Sequence, residues 1–549
     1  MCDVRRTNCK TRKIQVDSIY SPKLRRAIKS RMVMKPTSLK RSLEFDAMIG
    51  FIILIASVGL MPLNDPDFFW HLKNGELLLT NRALFEHDPF SHTAAGNPLQ
   101  VTGWFFDAAI AYAWQNYGAI GIRVISAFFI TLTWLGIYKC ANLFVQRNET
   151  CALFALFGIV LLAPLVAVRP NLFTHCAIVW VLFCLFGFMK SNRIGYLLIL
   201  IPLFAIWPNF HYGFAVGLVL IGLFFASSIL DRLAPLSSSR PLSGFLRSAP
   251  ILISATCVLA VAVNPYGLQV YQELLMMALR GANSGVTEWQ SPNFRSIFHK
   301  VLLGSIACYL VVVYVTGRKS SWLMLLVPGT MLCAMLLAER NQGFWAVILP
   351  AFLAIGMSEI LNQRTQPDGH PGGQVLRQVP HPPFAYYLNA VILLVTVIAV
   401  VLGGPTVRQQ RADAAAELYP AAAVNFMVDN IPDGNLFNRY GNGGYLIWRT
   451  YPRFPVFVDG RYFPYALETM QIYDHIIAGR PQSVELLKNH NVEIALVDTN
   501  TALSELLYLS QDFRTVYSDP EHSIYVVDTD KFSRVETVER ATTGLEANE

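Results

Sequence analysis

For its first four hundred residues the chain alternates long apolar runs with short polar breaks. Eleven such runs are read at about 47–63, 119–143, 151–168, 172–189, 194–209, 213–230, 249–264, 300–316, 321–338, 345–362 and 385–404. A helix needs roughly 17–25 mostly apolar residues to cross ~30 Å of hydrocarbon, and these runs are near or at that length. The break at 64–118 is too long for a connector. Within it, Leu72, Leu77, Leu78 and Leu79 carry a helical period through Trp70 to Asn81, and Trp104 to Tyr117 is rich in aromatic residues. Both segments predict helices lying along the membrane interface, as does the stretch near Tyr271 to Arg280. Reading 102–118 as a short span would break the charge pattern described below.

Beyond about residue 405 the apolar runs shorten and acids return. Helical spacing at about 414–429, 443–450, 465–478, 482–490 and 501–508 alternates with strand-like runs at 435–437, 456–458, 493–497, 515–517 and 523–527. That alternation predicts a small α/β domain. The chain therefore divides into a tail (1–46), a membrane domain (47–404, with its first outer loop at 64–118), an α/β domain (405–530) and a polar end (531–549). Its fold class is an α-helical polytopic membrane protein carrying a small C-terminal α/β domain.

Composition supports the membrane reading. Of 549 residues, 53% are hydrophobic and 15% charged, against about 25% charged in ordinary soluble domains. The net charge of +7 is concentrated, since residues 1–46 hold 13 Lys/Arg and only four acids. Such a tail directly before an apolar run is expected to fix orientation and touch anionic lipid, rather than to bind nucleic acid. No small-residue cleavage site follows that run, so the first span is expected to stay in the mature protein. Nine cysteines include no CxxC pair, and residues 334–549 contain none. This excludes a disulfide framework or a cysteine-based zinc site in the C-terminal region.

Charge also sorts the loops. Lys190 to Arg193, Arg232 to Arg247, Arg318-Lys319 and Arg364 to Arg377 fall in alternate breaks together with the tail. By the positive-inside rule these face the cytoplasm, and an odd number of spans places the α/β domain on the other side. The expected location is the plasma (inner) membrane, multi-pass, with a cytoplasmic N-terminus and an extracytoplasmic C-terminal domain. The other set of loops is rich in Asn, His, Arg, Trp and Pro, groups that hydrogen-bond polyols and phosphates.

Those outer loops hold the candidate chemistry. Asp65-Pro66-Asp67 sets two carboxylates two residues apart with a rigid proline between them. Such a pair suits a divalent cation such as Mg2+ or Mn2+ on a phosphate, or a general base acting on a sugar hydroxyl. The competing reading is helix capping. His71 lies one turn beyond Asp67. Arg169 and Arg340, at outer span ends, suit a lipid phosphate, since a guanidinium grips two oxygens at once; they equally suit contact with headgroups. Asn209 and His211 sit at another outer span end, where capping is the alternative. Gly441-Asn442-Gly443-Gly444 precedes a helix but is neither a P-loop nor a dinucleotide fingerprint, and Val458-Asp459-Gly460-Arg461 reads as a tight structural turn.

In combination these motifs resemble the GT-C superfamily of membrane glycosyltransferases, within a bacterial group of GT-C-like proteins. The resemblance rests on Asp65-Pro66-Asp67-x-x-Trp70-His71-Leu72-x-x-Gly75 and Asp88-Pro89-Phe90-Ser91-His92-Thr93-x-x-Gly96 in the first outer loop. It continues through Val168-Arg169-Pro170-Asn171, Trp207-Pro208-Asn209-Phe210-His211 and Val263-Asn264-Pro265-Tyr266-Gly267 to Asn438-Arg439-Tyr440-x-x-Gly443-Gly444 and Val458-Asp459-Gly460-Arg461. It covers roughly residues 45–530. That group more often has Trp-Trp where this chain has Phe69-Trp70, and Arg-Pro-Gln where it has Arg169-Pro170-Asn171.

The resemblance implies transfer of a sugar from a polyprenyl-phosphate carrier to an extracytoplasmic glycan, lipid or protein acceptor. A carboxylate of the first outer loop would act as base or metal ligand. That role falls on Asp67, with Asp65 next and Asp88 as a second acid. His71, Arg169, Asn209, His211 and Arg340 are the expected contacts of substrate and lipid phosphate. No cofactor is implied beyond the Mg2+ or Mn2+ that Asp65 and Asp67 would hold. The competing functions are a lipid-linked-glycan flippase or transporter, and a non-catalytic scaffold of the same fold.

Overall fold

The computed structural model describes residues 65–145, 147–234, 236, 243–282, 287–317, 321–364, 419–461 and 464–540. The basic tail, the runs at 47–63 and 385–404, and the linker 365–383 lie outside the described residues, so the count of eleven spans is carried only by the other runs. Each of those falls on a helix. Trp104–Asn142, Asn148–Leu165, Asn171–Ser191, Phe214–Leu233, Phe298–Thr316 and Glu339–Leu361 are long and apolar enough to cross a membrane, and Gly195–Asn209, Ser248–Ala260 and Trp322–Leu337 are shorter apolar helices.

Helix Asn171–Ser191 is enclosed by its neighbours on most sides. The helices Asn148–Leu165 and Phe298–Thr316 instead turn Leu153, Leu156, Val160, Leu303, Leu310 and Val311 outward with nothing over them. Bare aliphatic surface on that scale is intolerable in water and natural against lipid tails.

Helix α1 (Phe68–Asn81) and helix α2 (Trp104–Asn142) carry the two aromatic segments of the first loop. The expected interfacial segment 104–117 is continuous with the span that follows, but the helix folds back on itself at Gly118. That residue sits at φ 56°, a conformation glycine reaches without penalty. A straight helix would set residues 113 and 121 about 12 Å apart along its axis. Here a Cβ on Gly121 would lie 2.6 Å from the Ala113 carbonyl oxygen. The segment Gln269–Ala282 is also helical, as the sequence predicts.

Among the described residues, hydrogen bonds join loops that the charge pattern puts on the same side. At one end Trp104 Nε1 donates to Asn209 Oδ1 (2.9 Å), Asn209 Nδ2 to the Val263 carbonyl (2.8 Å) and Val101 N to the Tyr266 hydroxyl (2.8 Å). At the other end Lys190 reaches the Leu143 carbonyl, and Trp322 Nε1 donates to the Ala234 carbonyl (2.7 Å).

The C-terminal region forms a four-stranded sheet of order β1-β2-β4-β3, with β1 Leu436–Asn438, β2 Ile494–Asp498, β3 Phe513–Ser518 and β4 His522–Val527. β1 and β2 run parallel, and the other pairs antiparallel. The expected strand at 456–458 is instead a bridge. Val456 pairs with Leu436 on one side and with Ser91 of the first loop on the other, so the sheet edge is sealed by the membrane domain. The cores are joined as well. Phe68, Phe69, Leu72 and Phe90 pack in one buried cluster with Tyr445, Leu446, Val456, Ile494 and Val526. Part of the polar end also packs, with Phe532 and Val535 buried in that cluster. The α/β region is thus fixed to the first loop by hydrogen bonds and by shared apolar burial.

A candidate active site at one end of the bundle

The two acids at the start of α1 divide the roles that the sequence left open. Asp65 does the capping: its Oδ1 accepts from Asp67 N (2.8 Å) and its carbonyl from Phe68 N (3.1 Å). Asp67 occupies the N-cap position but makes no side-chain cap bond. Its carboxyl points instead at Arg169 and at Gly460, where a Cβ would lie 1.9 Å from Asp67 Oδ1.

Arg169 is the hub. It follows the span that ends near Leu165 and precedes Pro170, which starts the next helix. Its Nε donates to Asp65 Oδ2 (2.6 Å), and its Nη1 lies 3.2 Å from Asp67 Oδ2 and 2.9 Å from Glu288 Oε1. These carboxylates hold its guanidinium well above its ordinary range, although burial alone would lower it. Arg340 stands beside this group with its guanidinium 4.2 Å from the Trp289 ring centre, a cation–π contact.

Burial raises the Asp67 carboxyl to about 6, against the pull of Arg169, with Asp65 adding to the rise. A carboxylate poised there is nearly matched to proton exchange at neutral pH. His71 is close enough to act on it electrostatically. Its Nδ1 is 2.6 Å from Asp107 Oδ1, and Asn74 Nδ2 donates to the other oxygen (3.3 Å). His211 feels both Arg340 and His71, and burial depresses it to about 3, so it stays neutral. Gly213 N–H donates to its Nδ1 (3.0 Å), as does the Thr174 hydroxyl (2.9 Å), which leaves the ring proton on Nε2. Asp65, Asp67, His71, Arg169, His211 and Arg340 therefore form one group.

Two expected site residues fall outside it. Asn209 is a clasp between loops, its amide engaged by Trp104, Ala205 and Val263. Asp88 is buried on the far side of Gly460-Arg461. Its carboxylate takes Arg461 Nη1 (2.5 Å), the Ser91 hydroxyl and the backbone N–H groups of Phe90 and Ser91. With every lone pair engaged and Arg461 in front of it, Asp88 serves architecture. Arg461 also grips Asp459 through Nε (2.8 Å) and Nη2 (2.6 Å). The glycine turn before helix Gly443–Thr450 is a packing device and not an anion site. A Cβ on Gly444 would meet the Pro66 carbonyl oxygen at 2.4 Å, and one on Gly443 the Val458 carbonyl oxygen at 2.5 Å.

The metal expectation also meets Arg169. Its guanidinium fills the space between the two carboxylates, and among the described residues no group of three or more His, Cys, Asp or Glu side chains is arranged to hold an ion. Asp65 and Asp67 as placed do not fit a resident cation.

Sequence reasoning missed Asp107 and Glu288, and read Gly460 only as part of a structural turn. Asp107 did leave a trace, as the lone acid among Phe105, Phe106, Ile110 and Ala111. The contacts of Glu288 with Arg169 and of Gly460 with Asp67 left none, because each spans more than a hundred residues.

The wall that Gly460 forms against Asp67 is directly testable. In Gly460→Ala the atoms nearest the new methyl are those of the Asp67 carboxyl and, at 3.6 Å, Trp70 Nε1. The short Asp67 side chain gives way and the backbone does not. The expected result is a melting temperature within a degree or two of wild type and an activity lower by about 10²-fold, the usual cost of displacing a reacting group by about 1 Å.

No family model and no curated protein sequence matches the chain. Solved structures do. The archaeal oligosaccharyltransferase AglB from Archaeoglobus fulgidus, in complex with an inhibitory peptide and a dolichol-phosphate, aligns with a TM-score of 0.52 at 12% identity, over 83% of this chain and 69% of that one. The arabinofuranosyltransferase AftD from Mycobacteria aligns with a TM-score of 0.50 at 14% identity, over 90% of this chain. This chain spans only 40% of the length of AftD. An apolar bundle, a long first loop packed on a C-terminal mixed sheet, and these two alignments together give this chain the fold of the GT-C membrane glycosyltransferases.

Proposed function

We propose that this protein is a membrane glycosyltransferase that takes a sugar from a polyprenyl-phosphate carrier and passes it to an acceptor hydroxyl at the outer membrane face. The observation that carries this reading is a single acid raised to about 6, Asp67, held against Arg169 and near Arg340 at one end of an apolar bundle. AglB, of the same fold, is seen with dolichol-phosphate, a lipid phosphate of the expected kind.

The carrier lipid lies along the outward apolar helices and its phosphate meets Arg169 and Arg340. Glu288, the most exposed of Arg169's three carboxylate partners, is the one a phosphate displaces. The acceptor oxygen bonds to the anomeric carbon as the bond from that carbon to the phosphate oxygen breaks. The bonding pair leaves with the phosphate, and the acceptor proton goes to Asp67. Fixed charges aimed at the leaving phosphate supply most of the acceleration. A transporter would place ionisable groups at mid-membrane depth. Here the group lies at span ends.

The test is donor consumption. Purified protein in liposomes with short-chain polyprenyl-phosphate hexoses and pentoses, labelled in the sugar, is expected to release or transfer label. Arg169→Lys keeps the charge and loses the two-pronged grip, so turnover is expected to fall by about 10²–10³. If wild type consumes no such donor, or Arg169→Lys matches wild type, the assignment fails.

A further inference from the structure

The mechanism leaves one cavity unused. A cleft of about 670 Å³ opens beside Pro66, between the first loop and the sheet, and Tyr419, Arg439, Asp498, Thr501 and His522 line it. We propose that this cleft binds the acceptor and that the acceptor is an uncharged oligosaccharide. The inference rests on the glycosyltransferase reading and names the substrate class of the same site.

The position follows from topology. β1 and β2 are parallel, so their carboxyl ends share one edge of the sheet, the edge where open α/β sheets receive ligands. Arg439 follows β1, and Asp498 ends β2. The antiparallel register sets His522 directly opposite Asp498. The far wall is Pro66, whose chain neighbour is the candidate base. Tyr419 spans the two regions, because its hydroxyl senses the charges of Asp65 and Asp67. A chain seated in the cleft thus leads its end toward Asp67.

The rim is rigid. Asp519 Oδ1 accepts from Glu521 N (2.8 Å) and His522 N (2.7 Å), and the Thr501 hydroxyl donates to the Asp498 carbonyl (2.8 Å). Preorganised polar groups are what weakly binding polyols require, since little ordering cost is left to offset.

The lining decides the class. Arg439 Nη1 donates to Asp498 Oδ2 (3.0 Å) in an ion pair whose arginine is 60% exposed. So exposed a pair adds little to folding, but it presents planar donors and acceptors side by side. Acidic Asp498 and Glu521 repel a polyanion, and the apolar part of the lining is limited to Pro66, Pro520 and the Tyr419 ring, short of the long aliphatic surface a lipid tail needs. A peptide adding as a strand needs a free sheet edge, and the β1 edge is already covered by Val456 and Ser91. The volume falls within the range of small-molecule sites, about 300–1,000 Å³.

The full-length protein in nanodiscs is titrated with maltotriose, mannotriose, arabinotriose and a blocked tripeptide, with binding read by saturation-transfer NMR. At least one trisaccharide is expected to bind. Arg439→Gln and Asp498→Asn are each expected to weaken it about tenfold with no change in melting temperature, the loss of one charge-assisted hydrogen bond. Binding of no trisaccharide, binding untouched by both rim variants, or tripeptide binding that those variants abolish would overturn the inference. Donor consumption is measured on the same samples. Turnover without saccharide binding defeats this inference alone, and saccharide binding without turnover defeats the glycosyltransferase reading alone.

Discussion

Asp67→Asn is expected to abolish sugar transfer, by about 10²–10⁴-fold, while leaving the protein folded and no less stable at pH 8. The rate effect follows from removing a buried carboxyl raised to about 6, the proton acceptor of the proposed step. The stability effect follows from linkage. Burial lifts the Asp67 carboxyl from its ordinary value of 3.8 to about 6. The folded state therefore holds a proton that the unfolded chain gives up between those values. That contribution to stability is complete below about pH 4 and is lost as the pH rises through 6. At pH 8 the wild type carries a buried charge that folding disfavours. Asn mimics the protonated acid and removes this cost, which is on the order of a few kcal/mol. An inactive variant that melts at or above the wild-type temperature is thus the expected pair of results. Full transfer by Asp67→Asn would remove Asp67 from the mechanism.

The same shift fixes the pH profile of the wild type. Only the ionised form accepts a proton, so kcat/KM rises tenfold per unit below about pH 6 and levels above it. His211, held near 3, adds no limb in that range. Glu288→Gln removes a neighbouring negative charge that helps raise Asp67, so the midpoint moves to lower pH. A profile flat from 5 to 8 would contradict the assignment.

The sequence made the membrane architecture legible because span length is a local property. Each described apolar run is a helix, and each strand expected after residue 405 falls on the sheet except Val456-Phe457-Val458. That segment's partners, Ser91 and Leu436, flank it from two different parts of the chain, and nothing within the segment records this. The acids Asp65 and Asp67 were visible as a pair, but their division of labour was not, because it depends on which one Arg169 and Gly460 face. Asp88 misled for the same reason. It lies in an acidic motif of the first loop, and only its contact with Arg461, 373 residues away, shows that its charge is already used. Charge sorting puts the loops of Val101, Asn209, Val263 and Tyr266 on one side, and these loops do meet. It carried no information on side-chain direction, and this is why Asn209 was grouped with His211 although the two do different things.

That joint supplies the other large effect. Arg461→Met is expected to open the contact between the first loop and the sheet. Arg461 is 4% exposed and neutralises Asp88 and Asp459 together, while its guanidinium lies 4.9 Å from the Phe90 ring centre. Methionine preserves most of the packing and leaves two buried carboxylates unpaired, at a cost of about 3–5 kcal/mol. In a protein of this size the loss appears first as local opening. Hydrogen exchange is expected to accelerate at 88–93 and 455–461 before the bundle responds, and transfer to fall because Gly460 no longer holds Asp67. Asp88→Asn separates the architectural role from a catalytic one. Arg461 keeps Asp459, so the joint weakens by less, and activity is expected to fall only in proportion to the exchange measured at 88–93. A complete loss of transfer in Asp88→Asn with protection unchanged would place Asp88 back among the reacting groups. Restoring charge balance with Arg461→Met, Asp88→Asn and Asp459→Asn together is expected to recover most of the lost protection, since what destabilises the single variant is charge left without a partner.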